Sequence, residues 1–296
     1  MKTGRIADVK RTNFDLRVIA FGGLAVVTAI IAITPFLLFA GDQSQRDLQL
    51  PPNTLWEVVH NICVPGQSEH HDPSPCLQVN LTGGIESGFA ILRDPRGGIQ
   101  FLLVPTARIS GIESPVVRGP SALNYFDVAW ESRILISEAL HQSLPRDDIG
   151  LAINSAVSRS QDQMHIHFSC IRADVFEALR KDEGRIGNKW APLSVPLLGH
   201  RYIAMWVTGE HLGPNNPFSF LADRLSGAMP DMGNRTLVVI GFTRTEGSKG
   251  FVILADRINE ETGDLANGEE LLDHDCHIAT MGKKNNIGLN ETGRIH

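Results

Sequence analysis

Gln163-Met164-His165-Ile166-His167-Phe168-Ser169-Cys170 is the stretch that decides how this chain is read. Side chains alternate along a strand, so Gln163, His165, His167 and Ser169 are expected on one face and Met164, Ile166, Phe168 and Cys170 on the other. The second set is an apolar backing. The first sets two imidazoles, an amide and a hydroxyl in a row, a surface suited to attacking and hydrogen-bonding an anionic substrate.

Working outward, the chain alternates short helical and strand patterns. Asn53 to Cys63 has amphipathic helical spacing. Gly88–Arg93 and Gln100–Thr106 are strands separated by Asp94-Pro95-Arg96-Gly97-Gly98, a hairpin turn by composition. Ser121 is a candidate cap for a helix to about Leu140, with Phe126, Ala129, Trp130, Arg133, Ile134 and Ser137 at helical intervals. Phe126 and Trp130 read as core, and Asn124 and Tyr125 are placed to line a pocket. Ile149–Asn154 is an apolar strand, and the polar turn Ser155–Asp162 leads into the histidine stretch. A helix from Asp174, a strand at Tyr202–Val207, a helix after Pro217, strands at Leu237–Phe242 and Phe251–Ala255, and a helix near Glu269–Asp273 complete the pattern.

The N-terminal part has a different character. Val18 to Ala40 is apolar and uncharged, long enough to cross a bilayer as a helix, and Gly22, Gly23 and Pro35 are tolerated in such spans. Lys2, Arg5, Lys10, Arg11 and Arg17 outnumber Asp8 and Asp15 ahead of it, which keeps the N-terminus cytoplasmic and exports the chain beyond the span. The alternative is a cleaved signal peptide, against which the length of the apolar run argues. The expected organisation is a cytoplasmic basic tail (1–17), a transmembrane anchor (18–40), an exported domain (50–282) and a polar, disordered tail (283–296). The 296 residues carry a net charge of −6, and the basic leader makes the exported part more acidic still. That argues against nucleic-acid binding, which draws on a positive surface.

Four cysteines in an exported domain suggest two disulfides, with three connectivities open. Cys63 and Cys76 bracket a polar, proline-rich loop with little structure of its own, and pairing them leaves Cys170 for Cys276. A buried free thiol at Cys170 is the alternative. His70-His71-Asp72 and Asp273-His274-Asp275-Cys276-His277 are metal-like by count but read as solvated loop residues. Gln163, His165 and His167 fall short of a closed zinc site, since no cysteine or carboxylate shares their expected face. Asn80-Leu81-Thr82, Asn234-Arg235-Thr236 and Asn290-Glu291-Thr292 match the glycosylation acceptor pattern.

Strand, turn, strand, helix, strand, histidine strand is the element order of the histidine-triad superfamily. Within it the chain resembles the membrane-anchored bacterial CDP-diacylglycerol pyrophosphatases. The matching segments are Cys63-Val64-Pro65 through Asp72-Pro73-Ser74-Pro75-Cys76, Leu103 to Ile109 with Glu113-Ser114-Pro115, Leu151 to Ser155, His165 to Arg172, and Asp273-His274-Asp275-Cys276. The resemblance implies an α+β fold, a histidine-triad-like antiparallel sheet with flanking helices, on the periplasmic side of the inner membrane. It implies hydrolysis of CDP-diacylglycerol to CMP and phosphatidate, with no cofactor and no metal. His165 takes the position of the nucleophile that forms a nucleotidyl-imidazole, suited by its neutral, nucleophilic ring. His167 takes the last motif position and Asn154 that of an orienting asparagine. Gln163 stands where the triad has its first histidine, a departure that an amide can partly make good. Ser160, Arg159, Ser169 and Arg108 are the expected substrate contacts, with arginine the better anion clamp. A cytidylyltransferase or other nucleotide hydrolase of the same superfamily, and an inactive nucleotide- or lipid-binding module, are the competing readings.

Overall fold

The computed structural model describes residues 50–119 and 121–280. The expected tail 1–17, span 18–40 and polar tail 283–296 lie outside the described residues. Among the described residues no helix is long and apolar enough to cross a membrane.

Ten strands form one antiparallel sheet: β1 (Gln78–Asn80), β2 (Phe89–Arg93), β3 (Phe101–Pro105), β4 (Ile149–Ile153), β5 (Ile166–Ile171), β6 (Ala191–Pro192), β7 (Ile203–Thr208), β8 (Arg235–Thr243), β9 (Lys249–Arg257) and β10 (Leu272–Asp273). Their spatial order is β1-β2-β3-β5-β4-β8-β9-β7-β6, and β10 adds to β5 beyond the end of β3. The fold is therefore α+β with a large antiparallel sheet and flanking helices, as the sequence suggests. The β2–β3 hairpin, β4, β7, β8 and β9 fall where the alternation places them. The histidine strand begins at Ile166 rather than Gln163, so the two-residue periodicity breaks down ahead of the histidines.

Register sets the two faces. His167 pairs with Leu102 on one side and Ala152 on the other, and Ala152 in turn pairs with Val238. The neighbouring row, Phe101, Phe168, Leu151 and Val239, belongs to the main core under helices α2 (Tyr125–Glu131) and α5 (Pro217–Arg224). Trp130 and Phe218 lie fully buried there, each burial worth about 1.5–3 kcal/mol. Gly241 admits Trp130: a Cβ at Gly241 would stand 2.4 Å from the indole.

The opposite face carries two separate apolar clusters. Leu55, Val59, Leu92, Leu102 and Val104 gather under helix α1 (Thr54–Val58) and the π-helical turn Val59–Cys63 that continues it. Ala152, Ile171, Val175, Leu179 and Val238 gather under α4 (Ala173–Asp182). Between them, on the strip centred on His167, the face is polar. The fold leaves this gap open for a site.

Two expectations about helices change. The Ser121–Leu140 helix is two helices, α2 and α3 (Ile134–Ala139), broken at Ser132–Arg133. Its cap is Asn124, whose side chain accepts from the Asp127 amide at 3.3 Å, because Ser121 lies in the preceding loop. Near Glu269 a single 3-10 turn (Gly268–Leu271) replaces a helix and runs straight into β10. Both expected disulfides are present, Cys63–Cys76 and Cys170–Cys276, with Cα–Cα distances of 5.8 and 5.1 Å. The second fastens the end of β5 to the segment after β10.

Candidate active site

His165 and His167 meet edge to face with ring centroids 4.8 Å apart. The Nδ1 of His165 lies 2.7 Å from the backbone carbonyl of Gln163. A carbonyl only accepts, so Nδ1 carries the proton and Nε2 keeps its lone pair. Both rings are buried, and burial is the main force holding both below the usual histidine range, His167 down to about 3. At neutral pH both imidazoles are uncharged, the state a nucleophile needs. The strip is thus enclosed rather than solvated: Gln163, His165, His167 and Ser169 are all buried.

The groups that enclose it come from far along the chain. The β2–β3 turn is tightened by Asp94, whose carboxylate accepts from the Arg96 amide at 2.8 Å, and by positive φ at Gly97 and Gly98. This folds the Arg96 guanidinium back onto Asp94, with contacts of 3.0 and 2.7 Å, and onto Glu269. Gln100 Nε2 lies 2.9 Å from Asp94 Oδ2, 2.8 Å from Glu269 Oε1 and 2.6 Å from His167 Nδ1. Asn154 grips Glu269 twice, donating to Oε2 at 3.2 Å and accepting from its backbone N–H at 3.0 Å. Burial would raise the Glu269 carboxyl, but the charges and donors around it (His167, Arg96 and Gln100) hold it down to about 2. Asp94 is likewise lowered, its burial outweighed by Arg96.

Three polar atoms of this cluster are buried without a hydrogen-bond partner: His167 Nε2, Gln100 Oε1 and His274 Nε2. His167 Nε2 stands 3.3 Å from Glu269 Oε2 without a well-aligned bond. Unmet polar groups of this kind are costly in a closed core and natural in a site that receives a polar ligand. The histidines open onto a cavity of about 370 Å³. Its far wall is apolar (Leu55, Val58, Leu77, Leu92), and Arg93, Arg96 and Ser160 stand at its polar rim.

Of the residues expected from sequence, His165 and His167 lie side by side, Asn154 reaches them through Glu269, and Ser160 lines the cavity. The others serve elsewhere. Gln163 turns away from the histidines: its amide donates to the carbonyls of Pro105 and Ala107 at 2.9 and 2.8 Å and accepts from the Ile109 N–H at 3.3 Å. It staples the exit of β3, a role open to it because the strand starts only at Ile166. The Ser169 hydroxyl lies 2.6 Å from the carbonyl of Ile99, its acceptor, and 3.1 Å from that of Asp273, tying strands together. Arg159 is held by both oxygens of Glu113, at 2.8 and 2.9 Å, and does not line the cavity. Arg108 lies over the Trp56 ring and donates to Asn53 at 2.5 Å on the surface.

Sequence reasoning missed Asp94, Arg96, Gln100, Glu269 and His274. It also took the histidine face to be free of carboxylates, whereas Asp94 and Glu269 reach it from other elements. Asp94, His167 and Glu269 are close enough to share a cation, but Arg96 already bridges the two carboxylates. The local signal was an Asp-Pro-Arg turn at the mouth of a strand; its partner, 173 residues later, has none.

Comparison with known proteins decides the lineage. The model of a family described as CDP-diacylglycerol pyrophosphatase matches residues 50–280, the whole of the described domain. The chain belongs to that family. A curated relative from Yersinia pestis, named CDP-diacylglycerol pyrophosphatase, is 39% identical over 226 residues, 76% of this chain and 84% of the relative. The family match covers every element that builds the cleft, from α1 through the Glu269 turn to His274.

Proposed function

We propose that the protein hydrolyses the pyrophosphate bond of CDP-diacylglycerol to CMP and phosphatidate, with His165 as nucleophile in a histidine-triad-like mechanism. The observation that carries the reading is the His165 Nδ1–H donated to the Gln163 carbonyl, which leaves the Nε2 lone pair in a neutral ring at a cavity. Nε2 attacks the nucleotide phosphorus, a P–N bond forms, and the bridging P–O bond breaks to release phosphatidate. Water then cleaves the P–N bond, CMP departs and the ring is restored. His167 Nε2 is placed to meet a phosphoryl oxygen or pass a proton to the leaving group. Arg93, which lines the cavity, supplies the positive charge expected of Arg159 and Arg108, while Arg96 is taken up by Asp94 and Glu269. The cavity suits a molecule with one apolar and one anionic part, although two acyl chains exceed its volume and extend outside it.

The same reading places the domain on the periplasmic side of the inner membrane, held by the 18–40 span next to its lipid substrate. Two disulfides support an oxidising compartment. The test uses the full chain in detergent with CDP-diacylglycerol, with 31P NMR as the readout. Hydrolysis in 18O-water puts the label in CMP, an alkaline denaturing quench traps an acid-labile phosphoramidate on the protein, and His165→Ala lowers turnover by several orders of magnitude. Label in phosphatidate, or wild-type-like turnover in His165→Ala, refutes the mechanism.

A further inference from the structure

Behind the Glu269 turn lies a second group of titratable side chains that the hydrolysis does not use. His200, in the loop before β7, has Nδ1 2.7 Å from Asp264 Oδ2 and Nε2 3.6 Å from Glu270 Oε2. Asp256, near the end of β9, completes it: ligand atoms of His200, Asp256 and Asp264 all lie within 4.8 Å of one another. Tyr202, fully buried, donates its hydroxyl to Glu270 Oε1 at 3.2 Å.

The charge here is unbalanced. In the catalytic cluster Arg96 bridges Asp94 and Glu269. Among the described residues, no arginine or lysine comes within 4.0 Å of Asp256, Asp264 or Glu270. Asp256 and Asp264 are only 7% and 5% exposed. One oxygen of Asp256 accepts from the Arg257 N–H at 2.7 Å, while Oδ2, in the cluster with His200 and Asp264, has no partner. Burial, with Asp264 beside it, pushes the Asp256 carboxyl up to about 7. A buried carboxylate oxygen facing another carboxylate needs either a shared proton or a cation.

We propose that His200 Nδ1, Asp256 and Asp264 bind one divalent transition-metal cation, zinc or manganese, with water filling its remaining positions, and that this ion fastens Asp264 at the head of the segment that leads to Glu269 behind the catalytic cleft. One imidazole with two carboxylates is a borderline-hard donor set that suits these ions, whereas the imidazole disfavours calcium and magnesium. His200 is about a quarter exposed and gives the ion a way in. The consequence reaches the reaction through the backbone. Asp264 accepts from the Ala266 N–H at 2.8 Å, the Ala266 carbonyl accepts from Ser155 beside Asn154, and Glu270 adjoins Glu269. A cation there holds the turn that presents Glu269 to His167 and Arg96.

The test uses the full chain in detergent, without an oligohistidine tag, stripped with chelator and titrated calorimetrically with zinc or manganese alone. The expected result is uptake of one cation per chain by wild type and by the His277→Ala control, lost in Asp256→Asn and His200→Gln. Metal should also raise the wild-type melting temperature by several degrees, and chelator should reverse the gain. That second measurement decides the matter if Asp256→Asn fails to fold. No uptake by wild type, or equal uptake by Asp256→Asn, overturns the proposal. So does an Asp256→Asn chain that melts at or above wild type while neither responds to metal, the signature of a shared proton.

Discussion

Acidification should act on His167 in a way that can be isolated. The unfolded chain takes up this proton near pH 6.5, the ordinary histidine value, whereas the folded site resists until about 3 because the ring is buried between His165 and Arg96, with Glu269 and Asp94 only partly offsetting. Between those values the unfolded state binds more protons, so stability falls as pH falls, by about 1.4 kcal/mol per unit. From about pH 6.5 to about pH 5 the loss due to His167 is about 2 kcal/mol. Other groups titrate in that range, so the measurement is the difference in unfolding free energy between wild type and His167→Gln, taken by urea titration at each pH. Wild type should lose about 2 kcal/mol relative to the variant, because a glutamine has no proton to gain. The acid limb of kcat/KM should also fall below the ordinary histidine value, because burial holds His165 neutral to lower pH. A stability difference that stays flat from about pH 7.5 to about pH 5 would refute the reasoning, since the ring would then titrate like an exposed one.

The disulfides should differ in weight: removing Cys170–Cys276, which closes a separation of 106 residues, should cost about 5 kcal/mol, and removing Cys63–Cys76, with a separation of 13, about 3 kcal/mol, read by chemical denaturation of the double alanine variants. Only the first should also lower kcat, because it anchors the strand that carries His167. Gln163→His should lower activity and stability together, because an imidazole cannot replace the two donated bonds and one accepted bond that hold the β3 exit; a loss of about 2 kcal/mol is expected by thermal denaturation, and a rise in activity would restore the triad-slot reading. Arg159→Met should destabilise by leaving Glu113 without its partner, with KM for CDP-diacylglycerol unchanged; a raised KM would show that the guanidinium reaches phosphate after all.

Much of the sheet was legible because strand alternation is local. The β2–β3 hairpin announced itself through Asp94-Pro95-Arg96-Gly97-Gly98 and the hydrophobic runs beside it, and β8 and β9 through unbroken apolar stretches. His165 and His167 could be paired from sequence because they lie two residues apart. The alternation misled at Gln163, where the chain is still a loop held by its own amide, and at Arg159 and Arg108, where a side chain suited to phosphate is satisfied by Glu113 and by Asn53 and Trp56. Glu269 was out of reach altogether. Its role depends on β10 joining β5 and on Arg96 swinging back across the cleft, and neither has a local signature.

That late arrival has a consequence for biosynthesis. The pocket draws on residues 94–100, 154, 165–167 and 269–274, so a chain emerging N-terminus first carries both histidines for more than a hundred residues before Glu269 and His274 exist to face them. Contacts this distant in sequence are slow to form. Until they close, His165 stands beside a His167 that lacks the groups fixing it. A nascent or C-terminally clipped chain therefore carries both histidines without the finished pocket, and the assembled site is reserved for a molecule that has reached β10.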